Sequence, residues 1–437
     1  MSHTTAPALA ANIVRTLRQS GYAAFLVGGC VRDMLLGIVP KDLDVATDAT
    51  PPEVLQLFPQ AQPVGAHFGV ILVPGNGTKV EVATFRSDHA YQDGRRPGRV
   101  EFETDPKRDV FRRDFTINAM LMDPDTKEVL DFVGGRQDLE SGIIRAIGEP
   151  EQRFREDHLR MLRAIRFSAR FNFAIEENTM RAMKSLAPLI RHVSAERVRD
   201  ELTRMLTEGG ARRAFELLDD SGLLTQILPE VAAMKGVAQP PEFHPEGDVW
   251  THTLMMLEGL REPTITLALG ALLHDVGKPP TFRVAERIRF DGHVEAGVEM
   301  TRRILSRLRF SNDEIRQVEA LVAHHMRFKD VPQMKDSTLK RFLRLEKFEE
   351  HLELHRLDCS ASHRQLDNYF YAKEKLESLP VEELKPPRLL TGDDLIEAGY
   401  TPGPQFAAML TAVEDAQLER RIHTKEEALE LVKSLFR

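Results

Sequence analysis

The sequence predicts an α/β head built on a mixed sheet with helices, followed by all-α domains to the C-terminus. Two observations predict it. From about residue 10 to 145, short apolar runs alternate with Gly- and Asp-rich turns. From about 146 onward, apolar residues recur with helical period and strand signals are few. Pro-rich breaks at 239–245 (QPPEFHP) and 379–387 divide the helical region. The expected domains are therefore 1–145, 146–238, 239–378 and 379–437. In the head, Tyr22–Val27 is a strand candidate that runs into Gly28-Gly29. Phe68–Val73 and Lys79–Thr84 read as a hairpin across Gly75-Asn76-Gly77.

Composition narrows the function class. The chain has 437 residues, 29% charged and 42% hydrophobic, with a formal net charge of −8. That excludes disorder, collagen and coiled coil, and argues against a surface that is basic all over. No apolar run approaches the ~20 residues of a membrane helix, and the N-terminus lacks a secretion signal, so no membrane partner is expected. Two cysteines, Cys30 and Cys359, cannot staple a chain of this length, which points to a reducing cytoplasm.

Residues 26–47 (LVGGCVRDMLLGIVPKDLDVAT) carry the first chemistry. Gly28-Gly29 after a strand permits close backbone approach, with the next helix aimed at an anion. Arg32 and Arg113 can add charge-assisted bonds to a triphosphate. Asp42 and Asp44, two apart on a strand, would share a face, and adjacent carboxylates repel unless a cation such as Mg²⁺ lies between them. Glu81 is a possible third carboxylate or a buttress. In residues 109–120 (DVFRRDFTINAM), Asp114 can accept from a ribose hydroxyl while Arg113 meets phosphate, and Arg112 and Asn118 are too polar for an idle core strand.

Residues 153–171 (RFREDHLRMLRAIRFSARF), read as one helix, place Arg153, Glu156, Arg160, Arg163, Arg166 and Arg170 on one broad face. Met161, Leu162, Ile165 and Ala169 lie opposite, so the arginines are expected to point outward. Such a field calls for an anion. Asp157 and Arg160 can present one acceptor and a fork of donors to the edge of C or A. A good bidentate match is worth ~1–3 kcal/mol of discrimination.

Taken in order, Gly28-Gly29, Arg32-Asp33, Asp42-x-Asp44, Arg112–Ala119 (RRDFTINA) and Glu156-Asp157-x-x-Arg160 resemble the class II tRNA nucleotidyltransferases, the bacterial CCA-adding enzymes and poly(A) polymerases. The segments EVATFRSDHAY (81–91), GGRQDLESGII (134–144) and 391–410 are similar as well. The resemblance implies a head, neck, body and tail. It implies that Asp42 and Asp44 hold Mg²⁺, that Gly28, Gly29 and Arg32 sit at the triphosphate, and that Asp157 and Arg160 select CTP and then ATP, with Glu156 holding Arg160 in place. It places Arg113, Asp114, Asn118 and Arg163 around the nucleotide and makes tRNA the partner. In that family a loop corresponding to 86–109, mobile by composition, helps the switch from C to A. Arg86, Asp93 and Arg95 fit its pattern.

A second constellation lies in the helical region: His252 (HPEGDVWTH), His274-Asp275 (ALLHDVGK), His293, His324-His325 and Asp358. A buried His–Asp pair needs a partner, and imidazole with carboxylate suits Mn, Fe, Co, Ni or Zn. A lone His355 or His363 reads as structural. The order His…His-Asp…His…His…Asp resembles the HD phosphohydrolase superfamily. That likeness implies one metal on His252, His274, Asp275 and Asp358, with His293 and His324 completing a second site. It also implies a phosphatase or 2′,3′-cyclic phosphodiesterase activity.

The sequence leaves rivals open. A poly(A) polymerase is disfavoured by the tail, where residues 380–437 hold 7 Lys+Arg against 11 Asp+Glu. An enzyme adding only CC or only A fits the same motifs. An HD phosphohydrolase with a tRNA-binding head would require a defective head, yet Asp42, Asp44, Asp157 and Arg160 are all present. A plain RNA-binding protein would show no dependence on Mg²⁺ or nucleotide.

Overall fold

The structure is a computed structural model that describes residues 5–65, 69–75, 77–91, 97–242 and 244–436. Two compact units divide it, Met1–Ala232 and Ala233–Arg437.

The first unit opens with the helix Ala6–Gln19, whose Ala10, Ile13, Val14 and Leu17 form one buried stripe. The sheet behind it comprises β1 (Ala24–Val27), β2 (Asp44–Thr47), β3 (Gln62–Gly65), β4 (Val70–Gly75), β5 (Thr78–Thr84), β8 (Leu121–Met122) and β9 (Val129–Leu130). Its order is β3-β4-β5-β2-β1-β8-β9. β1 is apolar throughout (AFLV) and mostly buried, as a strand covered on both faces must be. β5 (TKVEVAT) alternates buried Val80, Val82 and Thr84 with exposed Lys79 and Glu81, the period of a half-covered strand. β4 and β5 form the expected hairpin, closed by Gly75 opposite Thr78. β2 and β5 run parallel with Asp44 beside Glu81, so the two carboxylates face the same side of the sheet. Val27, Ala46, Phe85, Val110, Ala119, Leu121 and Ile147 close the core under this site.

Four expectations need correction. Asp42 is not on the strand with Asp44. It sits in the bend before β2, which begins at Asp44. The stretch 86–109 is not a featureless loop, because Arg86–Tyr91 (β6) and Pro97–Phe102 (β7) pair antiparallel and a helix, Pro106–Phe111, follows. Of the residues expected to act there, Asp93 and Arg95 lie outside the described residues. The helix read over 153–171 is two helices, Pro150–Glu156 and Arg160–Phe171. Asp157 breaks them by adopting an extended backbone, φ −144° and ψ 106°. Finally, the helical region is not purely α. Within it, Ala174–Ile175 (β11) pairs parallel with Ile143–Ile144 (β10) at the end of the head, and Arg283–Val284 (β12) pairs with Ile288–Arg289 (β13).

Among the described residues the regular structure of the second unit is helical apart from that last ribbon and a single antiparallel bridge between Ala238 and Asp248. Phe328, Val331, Leu339, Phe342, Leu343 and Phe348 make one core, and Leu390, Leu395, Met409, Val413 and Ala428 make another near the C-terminus. Among the described residues no helix is long and apolar enough to cross a membrane.

Candidate active site and metal centre

In the first unit the strand β1 ends at Gly28, whose φ of +80° is costly for any residue with a side chain. A Cβ there would lie 3.3 Å from Arg113 Nη1 and 3.9 Å from Asp44 Oδ2. Gly28 therefore forms part of the wall of a cleft of about 580 Å³. The cleft gathers Gly28, Gly29, Arg32, Asp42, Asp44, Arg113, Asp114, Asn118, Asp157, Arg160 and Arg163 from four separate stretches of sequence. Glu156 is attached through Arg160. Eleven basic side chains against seven acidic ones line it, a local surplus of positive charge in a chain whose net charge is negative.

Burial pushes the Asp44 carboxyl up to about 6, and the neighbouring Glu81 and Asp42 add to the effect while Arg113 opposes it. Crowded carboxylates of this kind fit a divalent cation, which would remove the repulsion. Facing them is a chain of charged pairs. Arg32 donates through Nε and Nη2 to Asp33 (2.8 and 2.6 Å) and through Nη1 to Asn118 Oδ1 (2.5 Å). Asn118 donates on to Asp114 (3.1 Å), which also accepts from Arg163 Nε (2.8 Å) and is held down to about 2, burial being outweighed by Arg163 and Asn118. Arg112 and Arg113 both clasp Asp109, which is 1% exposed. Arg32 thus has its fork committed to Asp33 and its face against the rings of Phe167 (5.1 Å) and Phe171 (4.7 Å). It meets the cleft as a fixed charge, not as a free fork.

Arg160 Nη1 donates to Glu156 (2.8 Å) and its Nη2 to the Arg112 carbonyl (3.0 Å). Asp157 accepts from the Leu159 amide and from both Nη atoms of Arg197, at 3.1 and 2.8 Å. The outward arginine face expected here is corrected: Arg160 and Arg166 are buried, and Arg166 donates to Glu201 at 2.6 Å. Arg197 escaped sequence reasoning. It shares a stripe at helical spacing with Glu201 and Arg204 on Ala195–Thr207 and with Glu208 just past its end, beside the buried face of Val198, Leu202 and Met205. That spacing is the signal that would have found it.

In the second unit, helices bring His252, His274, Asp275, His293 and His325 together. Ligand atoms of His252, His274 and Asp275 lie within 4.8 Å of one another, and so do those of Asp275, His293 and His325. Asp358 stands 3.2 Å from His252 Nε2. The residue in this cluster is His325, not His324. His324 ends the helix Asn312–His324 and lies against Phe342 and His351 instead. The i+3/i+4 run of buried Val318, Leu321, Val322 and His325 carried that information in the sequence. His355, read as structural, stacks on Phe328 at 4.3 Å.

The ring nitrogens fix the chemistry. Nδ1 of His274, His293 and His325 donates to the carbonyls of Ala271 (3.0 Å), Phe290 (2.9 Å) and Val322 (2.7 Å), and Nδ1 of His252 donates to Glu246 (2.7 Å). Each Nε2 is thereby left facing the cluster, buried and without a well-formed hydrogen bond; those of His274 and His252 lie 3.1 Å from Asp275 and 3.2 Å from Asp358, and for His252 burial is outweighed by Asp358 and Glu246, which push the imidazole up to about 9. Burial pushes His325 down to about 4, so it stays neutral as a metal ligand must. Four imidazole lone pairs converging on a carboxylate fit a borderline divalent transition metal, and Asp275 belongs to both groups. Gly277 permits the cluster: a Cβ there would lie 2.1 Å from the His293 carbonyl oxygen.

Comparison with known proteins follows the same division. Residues 24–145 match the poly A polymerase head domain, 172–235 the probable RNA- and SrmB-binding site of polymerase A, and 293–432 the putative domain 2 of tRNA nucleotidyltransferases. The CCA-adding enzyme of Geobacillus kaustophilus is 43% identical over 224 residues, 51% of this chain and 55% of that enzyme. That of Bacillus pumilus is 39% identical over 265 residues, 61% and 62% of the two chains. The matched stretches thus span little more than half the length of these curated relatives. The crystal structure of the Bacillus stearothermophilus CCA-adding enzyme in complex with CTP superposes with a TM-score of 0.76 at 28% identity, covering 98% of both chains. The Thermotoga maritima CCA-adding enzyme complexed with tRNA shares the fold, with a TM-score of 0.60 at 20% identity and cover of 98% and 95%. The α/β head, the helical remainder and the motifs within one cleft agree with these matches: three separate stretches, together most of the chain, are similar to domains of the tRNA nucleotidyltransferases and bacterial poly(A) polymerases.

Proposed function

We propose that this chain is a CCA-adding enzyme, which extends the tRNA 3′ end with C, C and A from CTP and ATP. The observation that carries the reading is the meeting in one cleft of the Asp42–Asp44 pair with Asp157 and Arg160. Residues 1–145 serve as the catalytic head, 146–238 as the neck, 239–378 as the body and 379–437 as the tail. Asp42 and Asp44 hold Mg²⁺, which when bound lowers the cost of deprotonating the RNA 3′-hydroxyl and steadies the leaving pyrophosphate. Arg32, Arg113 and Arg163 supply the positive wall for the triphosphate. Glu156 fixes the Arg160 fork, and Asp157 and Arg160 face the base edge, Asp157 accepting from the amine of C or A. The 3′-oxygen bonds to the α-phosphorus as pyrophosphate departs. The two free, buried cysteines suit a cytoplasmic enzyme.

The test is extension of a tRNA transcript ending at the discriminator base, with CTP, ATP or both, read at single-nucleotide resolution. Two C and one A followed by a stop is the expected result. CC alone, A alone on a CC end, or a ladder of A would reassign the chain within its family.

A second activity is favoured by the four unpartnered Nε2 atoms around Asp275: a metal-dependent phosphohydrolase in the second unit. His252, His274, Asp275, His293, His325 and Asp358 hold the ions there, and a bound Mn, Fe, Co, Ni or Zn supplies Lewis-acid activation of a phosphoester and water. Release of p-nitrophenol from p-nitrophenyl phosphate by the Mn²⁺- or Ni²⁺-loaded protein checks it.

A further inference from the structure

Just before His293 the chain turns back on itself as an exposed ribbon, which the two readings above leave without a role. β12 and β13 pair antiparallel with Arg283 directly opposite Arg289 and Val284 opposite Ile288. Arg283, Arg287 and Arg289 are exposed, and Val284 is 71% exposed. Two guanidinium groups facing each other across an antiparallel pair repel, and two-residue strands hold a ribbon weakly. Glu286 lies in the same turn, yet among the described residues none of these three arginines has an ion-pair partner. Several other arginines of the unit are paired. Arg302, Arg341, Arg344, Arg356 and Arg420 each pair with a glutamate.

The root of the ribbon is tied to the metal cluster. Phe282 and Phe290, at its two ends, lie with their rings 5.9 Å apart. The Lys278 ammonium sits over Phe290 at 5.3 Å and ion-pairs with Asp275 at 2.6 Å. The Phe290 carbonyl accepts the Nδ1–H of His293. Arg289 is four residues from His293, so its Cα stands within ~14 Å of the His293 Cα along the chain, and Arg283 is paired directly opposite it. A row of exposed guanidinium forks without ion-pair partners among the described residues, rooted beside a site suited to phosphoesters, matches a phosphate backbone better than a protein or lipid surface.

We infer that Arg283, Arg287 and Arg289 form an arm that holds the backbone of a single-stranded RNA 3′ end at the second-unit metal cluster, so that the substrate class of that cluster is a phosphorylated RNA end and not a free mononucleotide. The substrate statement rests on the phosphohydrolase reading, whereas the RNA contact does not. The full-length, Mn²⁺-loaded protein is photo-cross-linked to a short oligoribonucleotide bearing a 3′-terminal phosphate, and the cross-links are mapped over a salt series. Cross-links at residues 282–290 are expected. Their yield should fall about tenfold in R283A/R289A, with the logarithmic salt slope smaller by about 1.4, some 0.7 for each single-strand phosphate contact. R283K/R289K, which keeps the charges, should retain most of the yield. Cross-links confined to Met1–Ala232, or an undiminished yield in the alanine variant, would overturn the arm. Hydrolysis of p-nitrophenyl phosphate and of the oligonucleotide 3′-phosphate is followed in parallel. Failure to cleave either, with the cross-links in place, removes the phosphohydrolase and with it the substrate statement. Cleavage of the small ester with no cross-link at the ribbon makes free phosphoesters the substrate.

Discussion

The two sites solve the same problem, a buried carboxylate that needs a cation, in opposite ways. In the first unit, Asp44 is crowded by Asp42 and Glu81 and faced by arginines that are already paired with acids. Hard carboxylates beside a positive wall suit Mg²⁺ and a triphosphate that arrive together. In the second, Asp275 is ringed by imidazoles whose outer nitrogens are pinned to carbonyls and Glu246. That donor set fits a softer metal. The contrast teaches that electrostatic surplus marks a place for a transient anion, whereas orphaned lone pairs mark a place for an ion that stays.

The largest effect that would break the comparison is on chemistry. Asp44→Ala should lower nucleotide addition by at least ~10³-fold while leaving hydrolysis in the second unit intact. A variant that adds CCA at the wild-type rate would remove Asp44 from the metal site. Next comes the support of the positive wall. Arg166→Ala leaves Glu201 buried and uncompensated and should cost about 3–5 kcal/mol of unfolding free energy, read by denaturant melts, whereas Arg166→Met with Glu201→Leu should restore most of it.

On the other side of the comparison, Glu246→Gln weakens the carboxylate that orients His252. It should reduce Mn²⁺ or Ni²⁺ affinity in the second unit about 10–100-fold by calorimetry, with CCA addition unaffected. The smallest effect is a pH dependence confined to the first site. The Asp44 carboxyl is raised to about 6, so without Mg²⁺ its contribution to stability is present at acid pH and is lost as pH rises through about 6. Mg²⁺ competes with that proton. The half-saturating Mg²⁺ concentration for nucleotide addition should therefore rise by up to ~tenfold per pH unit below 6, and a flat profile would mean that Asp44 titrates in its ordinary range.

Much of this was legible in the chain because it is local. Gly28 before a helix, the alternation of TKVEVAT, and the change of period near residue 146 each reflect one element and its own burial. Helix phase near a break was harder. Asp157 splits the expected helix, and the extended backbone at that residue turns Arg160 inward to Glu156 and the Arg112 carbonyl. His324 and His325 are both histidines, and only the face already occupied by Val318, Leu321 and Val322 decides between them.

By itself, then, the sequence determined that an α/β region precedes a helical one, the kinds of group available for catalysis and the sign of the charge around them, since these follow from residue type and short-range period. The tertiary structure decided which charges are free. Arg32 is spent on Asp33 and Asn118, Asp157 is met by Arg197 from forty residues away, and four histidines from separate helices aim their lone pairs at one aspartate. Pairing of this kind depends on distances of a few ångströms between distant parts of the chain, and only packing sets those distances.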